Sequence, residues 1–184
     1  AIKPNFAEAH INLGLVLQEF GRNAEASASY CEALLLKPDS AEAHYNLGIA
    51  LREMEKFDES AASYRKALAI RPDYAEAHNN LGVTLRELGR LNESVACFHQ
   101  ALAVRIDYAD AHYNLGLTFH NLGKIDDAVA SYRQALAISP QFAKAHRNMG
   151  LALLALGREK EGLDELEWRW EIPANRPDRR EFGR

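Results

Sequence analysis

The chain consists of helix-length stretches in which apolar and small residues return on one side. Between residues 41 and 54, His44, Leu47 and Leu51 fall on one side of a 3.6-residue helix. A second helical pattern runs from 58 to 70. Its stripe of small and apolar residues consists of Ser60, Ala61, Tyr64, Ala67 and Leu68. The pattern therefore predicts two short amphipathic helices joined by a tight turn.

The sequence of this helix pair recurs along the chain with a fixed period. The copies open with AEAHINLG at 7–14, AEAHYNLG at 41–48, AEAHNNLG at 75–82, ADAHYNLG at 109–116 and AKAHRNMG at 143–150. Each begins 34 residues after the one before, and a helix pair of this size buries its apolar side only by stacking on its neighbours. We therefore predict an all-α fold, a right-handed solenoid of antiparallel helix pairs.

The period also predicts the internal boundaries. We expect the end of a preceding repeat at 1–6, repeats at 7–40, 41–74, 75–108 and 109–142, a degenerate fifth repeat or capping helix pair at 143–173, and a connector or tail at 174–184. The opening AIKPNF matches AIRPDY at 69–74, which predicts that the chain begins inside a longer protein.

Glycines and small residues have predicted mechanical roles. Gly48 and Ala67 should let two helix backbones approach, with Tyr64 filling the space beside them. A second set of glycines fits the C-terminal turn of each first helix, where a left-handed residue is favoured. These are Gly21, Gly89, Gly123 and Gly157, with Glu55 in the corresponding place of the second copy.

Composition narrows the functional classes. The 184 residues are 47% hydrophobic with a net charge of −4, which suits a folded protein and disfavours binding to nucleic-acid phosphates. No apolar run approaches the roughly 20 residues that span a bilayer, so no membrane association is expected. Cys31 and Cys97 are expected to be free, partly buried thiols of a reducing compartment, and the expected location is cytoplasmic.

The repeated residues resemble the tetratricopeptide repeat, a family of 34-residue helix pairs. The features in common are L-G in the first helix, a small residue opening the second, then an aromatic, an alanine and a proline, as in Leu47-Gly48, Ser60, Tyr64, Ala67 and Pro72. The resemblance covers 1–173 almost completely. It departs from the family at the histidine column, where tryptophan is frequent, and at Ile106, where proline is expected.

The histidine column at this departure, one residue per copy, raises the question of a metal site. Its members are His10, His44, His78, His112 and His146. Packed helices lie about 8–10 Å apart, whereas zinc needs nitrogens within about 2.1 Å, so neighbouring histidines could hardly share an ion. We interpret them as packing residues and expect no metal and no other cofactor.

The opposite side of the first helix carries the candidate binding residues. In tetratricopeptide arrays this side lines a concave groove, which the resemblance implies here. The asparagine column consists of Asn12, Asn46, Asn80, Asn114 and Asn148. An amide can pair with both the N–H and the C=O of an extended peptide, and a helix-pair step of about 10 Å matches roughly three extended residues. The column is similar to the asparagine ladder of O-GlcNAc transferases, but asparagine also simply suits this helix surface.

Other residues share that side. The aliphatic column is formed by Leu15, Ile49, Val83, Leu117 and Leu151, and it could face a partner or pack between neighbouring first helices. The remaining candidates are Tyr45, Asn79, Tyr113, Arg52 and Arg86. An acidic column, formed by Glu8, Glu42, Glu76 and Asp110 and ending at Lys144, disfavours a carboxylate-clamp function.

Three functional hypotheses follow. No nucleophile–base pair or phosphate-binding loop appears, so we expect this chain not to be an enzyme. The first hypothesis is a protein-interaction scaffold that binds extended peptide segments. The second is the substrate-recruiting arm of a larger glycosyltransferase, because EGLDELEWRWEIP at 161–173 resembles the join to such a domain. The third is self-association through the N-terminal end, the Trp168–Trp170 end or the aliphatic column.

Overall fold

A computed structural model describes residues 5–171, apart from the side chains of residue 5 and of 169–171. These residues form ten α-helices and no strand: α1 (Asn5–Glu19), α2 (Asn23–Leu36), α3 (Ala41–Glu53), α4 (Phe57–Ile70), α5 (Ala75–Glu87), α6 (Leu91–Val104), α7 (Ala109–Asn121), α8 (Ile125–Ile138), α9 (Ala143–Ala155) and α10 (Glu159–Glu171). Each odd-numbered helix packs against the even-numbered helix that follows it. The predicted all-α fold of consecutive helix pairs is confirmed.

The chain divides into two compact units between Ile106 and Asp107. The first unit contains α1–α6, and the second contains α7–α10. Within each unit, an even-numbered helix also packs on the next odd-numbered one, as α2 does on α3 and α8 on α9. The predicted tail at 174–184 lies outside the described residues.

The turn after each first helix follows one geometry. Gly21, Gly89, Gly123 and Gly157 have φ of 72–73°, and Glu55 has φ of 60° in the corresponding place. In the second copy the Glu55 N–H donates to the carbonyl of Arg52, and the Lys56 N–H donates to that of Leu51, both at 2.9 Å. This is the left-handed C-terminal cap that the glycine positions predicted.

The close approach of paired helices is confirmed. A Cβ atom added at Gly48 would lie 2.6 Å from the Tyr64 ring, and one at Gly82 would lie 2.8 Å from the Phe98 ring. Ser60 stands at this contact where the first and fourth copies have Ala26 and Ala128. Its hydroxyl donates to the Gly48 carbonyl at 2.7 Å. The two helices are therefore joined by a buried hydrogen bond as well as by packing.

The cysteines differ from each other. Cys97 is half-buried and packs on a cluster formed by Ala61, Tyr64, Leu81 and Leu85, but Cys31 is exposed. The prediction of partial burial is wrong for Cys31, because its position on α2 points away from the helices that α2 contacts. None of the described helices is long and apolar enough to cross a membrane.

Candidate functional site

The asparagine column lies on what we call the first-helix face, the side of each first helix that carries it: α1, α3 and α5 in the first unit, and α7 and α9 in the second. Burial differs along the column. Asn12 is exposed and Asn46 is 6% exposed, whereas Asn80, Asn114 and Asn148 are half-buried. Asparagines at the same position of the repeat therefore differ widely in how accessible their side-chain amides are to a partner.

In the first unit, a tyrosine holds one of these amides. The Asn80 Nδ2–H donates to the Tyr45 hydroxyl at 3.1 Å, and Asn80 Oδ1 accepts from Asn79 Nδ2 at 3.2 Å. The Tyr45 ring lies 4.7 Å from the Tyr74 ring and 5.9 Å from the Tyr64 ring, between centroids. Aromatic packing therefore fixes the hydroxyl that orients the asparagine.

The second unit repeats this arrangement 68 residues later. The Asn148 Nδ2–H donates to the Tyr113 hydroxyl at 3.0 Å. The Tyr113 ring packs 4.8 Å from Phe142 and 5.9 Å from Tyr132. Tyrosine occupies this position of the first helix only in the second and fourth copies, whereas Ile11, Asn79 and Arg147 occupy it in the others. The tyrosine–asparagine pair is thus specific to two places in the chain.

The aliphatic column is not a continuous exposed surface. Leu15 and Leu151 are exposed, while Ile49, Val83 and Leu117 are half-buried. Ile49 packs on the cluster that contains Leu81 and Leu85 of α5, and Leu117 packs on the cluster that contains Met149 of α9. Ile49 and Leu117 therefore pack laterally between neighbouring first helices.

The predicted arginines make ion pairs with the glutamate that follows each of them. Arg52 lies 2.9 Å from Glu53, and Arg86 lies 3.4 Å from Glu87. The Arg86 side chain is 14% exposed, and its Nη1 has no hydrogen-bond partner among the described residues. This Nη1 atom carries two N–H groups, so it can donate to further acceptors.

The histidine column contacts the loops between repeats. His44, His78 and His146 place Nε2 at 3.1, 2.9 and 2.9 Å from the carbonyls of Pro38, Pro72 and Pro140. A carbonyl oxygen only accepts, so Nε2 carries the hydrogen and is not available to a metal ion. No group of three or more histidine, cysteine, aspartate or glutamate side chains in the described part of the chain could hold a metal.

Sequence reasoning missed the aromatic residues that precede α5 and α9, Tyr74 and Phe142. Arg71 lies over the Tyr74 ring, with its Cζ atom 3.3 Å from the ring centroid. Burial raises the pKa of Tyr74, and the guanidinium of Arg71 opposes that rise. The signal that could have found these residues is an aromatic at the last position of three successive copies: Tyr74, Tyr108 and Phe142.

A cavity opens on the first-helix face of the second unit. Its volume is about 620 Å³. The side chains that define its chemistry are Asp110, Tyr113, Asn114, Ser139, Phe142 and Lys144. It thus brings two predicted residues, Tyr113 and Asn114, together with an aromatic wall and one charge of each sign. This lining offers hydrogen bonds, aromatic contact and a counter-charge of either sign to an extended ligand.

Comparisons with known proteins agree with this architecture. Family models described as tetratricopeptide repeats match residues 7–29, 73–141 and 121–177, and a model described as TPR repeat matches 19–54 and 50–85. Together these matches extend without a gap from residue 7 to residue 177. A comparison with curated protein sequences gave no significant match.

Several solved structures share the fold. A crystal structure of MamA is 25% identical, covers 84% of this chain and 90% of its own, and has a TM-score of 0.79. MamA from Desulfovibrio magneticus is 19% identical, with 96% and 99% covered and a TM-score of 0.85. YrrB, described as a TPR protein with an unusual peptide-binding site, is 22% identical, with 91% and 86% covered and a TM-score of 0.73. With its 34-residue period, its glycine–aromatic helix contacts and its left-handed caps, the chain belongs to the tetratricopeptide repeat family.

Proposed function

We propose that this chain is a protein-interaction scaffold that holds extended peptide segments against its first-helix face, partly through the asparagine column. The observation that carries the proposal is the cavity of the second unit, which opens on this face and is lined by Asn114 and Tyr113. The YrrB structure, described as having a peptide-binding site, supports the same use of the fold.

The tyrosine–asparagine pairs suit this function because they orient the amide without exhausting it. A side-chain amide has two N–H groups and two acceptor lone pairs. Asn80 donates one N–H to Tyr45 and accepts from Asn79 with one lone pair, so its carbonyl oxygen keeps a second lone pair for a partner. An amide held in place loses less conformational entropy on binding than a free one.

Burial decides which asparagines contribute. Asn46 is too buried to reach a partner backbone, so the half-buried Asn80, Asn114 and Asn148 carry the proposal. Each net hydrogen bond contributes about 0.5–1.5 kcal/mol, so three asparagines supply a few kcal/mol before ordering costs. We therefore expect micromolar or weaker affinity with little sequence preference.

The test is calorimetric titration with a pool of unstructured peptides. The variant Asn114→Ala/Asn148→Ala should lose most of the binding heat. The matched control is Asn92→Ala/Asn121→Ala, which removes two exposed asparagines outside the column. Binding that survives in the first variant, or is lost equally in both at equal helical content, excludes the asparagine mechanism.

Self-association is a second candidate, and its predicted surface is the side of α1 that a preceding repeat would cover. Leu13 is 49% exposed, whereas Leu47, at the same position of α3, is 9% exposed beneath α2. Phe6, Leu13, Val16 and Phe20 form an exposed stripe with Ala9, spaced three and four residues apart in turn. This spacing is the heptad seam through which helices pair.

An isologous pairing of α1 with α1 of a second copy would cover this stripe in both molecules. The apolar area involved is a few hundred Å² per copy, at the low end for a specific interface, so a weak dimer is expected. Sedimentation velocity over a hundredfold concentration range should show mass rising in the wild type but not in Leu13→Glu/Val16→Glu. A constant monomer mass in the wild type removes this candidate.

The glycosyltransferase arm uses the same face and remains a prediction from sequence. Part of the stretch that suggested it, 161–173, lies outside the described residues. A nucleotide-sugar-binding domain encoded directly after Arg184 would support it, and an unrelated or absent domain there would remove it.

A further inference from the structure

The first unit carries an aromatic site that the chain covers with its own cation. The guanidinium of Arg71 lies over Tyr74, which packs against Tyr45. Glu42 lies on α3 three residues before Tyr45, and the Glu76 carboxylate is ion-paired with Arg105 at 2.8 Å. A cation placed on a ring face is favourable, and guanidinium groups stack well on such rings. The site therefore shows which chemistry this aromatic corner accepts.

The second unit has an equivalent pair of rings with different charges around it, since Lys144 stands where Glu76 does. Tyr113 and Phe142 take the places of Tyr45 and Tyr74, and Asp110 takes the place of Glu42. Ser139 stands where Arg71 does. This position is basic in the three earlier copies, as Lys37, Arg71 and Arg105, and is serine only in the fourth.

Because serine is much smaller than arginine, Ser139 leaves space beside the Phe142 ring. Ser139, Phe142 and Asp110 all line the cavity of about 620 Å³. An arginine side chain over Phe142, in the manner of Arg71, would fill part of that volume. Asp110 is exposed and lines the same cavity, so its carboxylate is accessible to such a side chain.

We infer that this cavity binds an arginine side chain of the bound segment, laid on the Phe142 ring with Asp110 as its counter-charge. The inference rests on the proposed function, since the arginine is delivered by a segment on the first-helix face. Lys144, which is exposed and also lines the cavity, sets a limit: it repels a second cation and attracts a carbonyl or carboxylate. The preferred segment has one arginine flanked by neutral or acidic residues, not a basic run.

The experiment compares two peptides in an NMR titration of the ¹⁵N-labelled chain. One is acetyl-Gly-Ser-Ala-Arg-Ala-Ser-Gly-amide, and the other has citrulline, which has the same shape but no charge, in place of arginine. A half-exposed cation–π contact with an adjacent carboxylate predicts about fivefold to tenfold tighter binding of the arginine peptide. The backbone amides of residue 139 and of residues 141–144, together with the Asn114 side chain, should shift.

The decisive variant is Ser139→Arg, which places in the second unit the same side chain that covers the Tyr74 ring in the first unit. It should bring the two peptides to equal affinity. Gln134→Arg adds the same charge at an exposed position of α8 away from the cavity and should keep the preference. Asp110→Asn, a change at an exposed residue, should reduce the preference to about threefold or less.

The outcomes separate this inference from the proposed function. A preference that persists in Ser139→Arg, or equal binding of both peptides by the wild type, overturns the arginine site. If that equal binding is lost in Asn114→Ala/Asn148→Ala, the peptide-binding function stands without it. Absence of binding by either peptide overturns both.

Discussion

Glu55 provides the most direct test of the turn geometry. It is the one non-glycine residue with positive φ among the described residues, at 60°, where four other copies have glycine at 72–73°. A left-handed backbone costs an L-residue about 1–2 kcal/mol. Glycine avoids that strain but loses about 0.5–1 kcal/mol more conformational entropy on folding. The replacement Glu55→Gly should therefore stabilise the chain by roughly 0.5–1 kcal/mol.

For a chain of this size, 1 kcal/mol corresponds to about 2–4 °C in Tm, so a rise of about 1–4 °C is expected in calorimetry. Hydrogen exchange provides a local readout, since the Glu55 and Lys56 N–H groups donate within this turn. Both should exchange more slowly in the variant, because the cap opens less often.

The mirror-image control is Gly89→Ala. A Cβ atom there would meet nothing within 4 Å, so only the backbone conformation at φ 72° opposes the change. Its expected effect is a loss of similar size. A lower Tm for Glu55→Gly, or an unchanged Tm alongside a clear loss in Gly89→Ala, would show that the Glu55 side chain provides a compensating interaction and would refute the strain argument.

Three further predictions rest on buried groups. Burial lowers the pKa of His44, although the hydrogen bond to the Pro38 carbonyl opposes this shift. The unfolded chain therefore binds this proton more readily than the folded chain, and the free energy of unfolding should fall as the pH drops below about 6.5. The replacement His44→Gln should flatten that part of the Tm–pH curve. Burial raises the pKa of Cys97 to about 11, so iodoacetamide at pH 8, followed by mass spectrometry, should label exposed Cys31 long before Cys97. Ser60→Ala removes the buried donor to Gly48 and should lower the unfolding free energy by about 0.5–1.5 kcal/mol in denaturant titration, whereas Ser139→Ala, which makes no such bond across the pair, should not.

Much of the fold followed from spacing alone. A 34-residue period with Leu47-Gly48, Tyr64 and Ala67 leaves few alternatives to a packed helix pair, and the left-handed caps at Gly21 and its counterparts follow from where helices must end. These features depend on contacts between residues a few turns apart, which a repeated local pattern encodes directly.

The candidate site depended on the tertiary structure. Asn46 and Asn80 occupy the same place in the period, yet only Asn80 has a tyrosine hydroxyl from the preceding first helix beside it. Periodicity assigns each residue to a side of its own helix. Stacking of the pairs decides which neighbour reaches that side, because these contacts join residues from different copies. It brings Arg71 over the Tyr74 ring in the first unit and places Ser139 at the edge of an open cavity in the second.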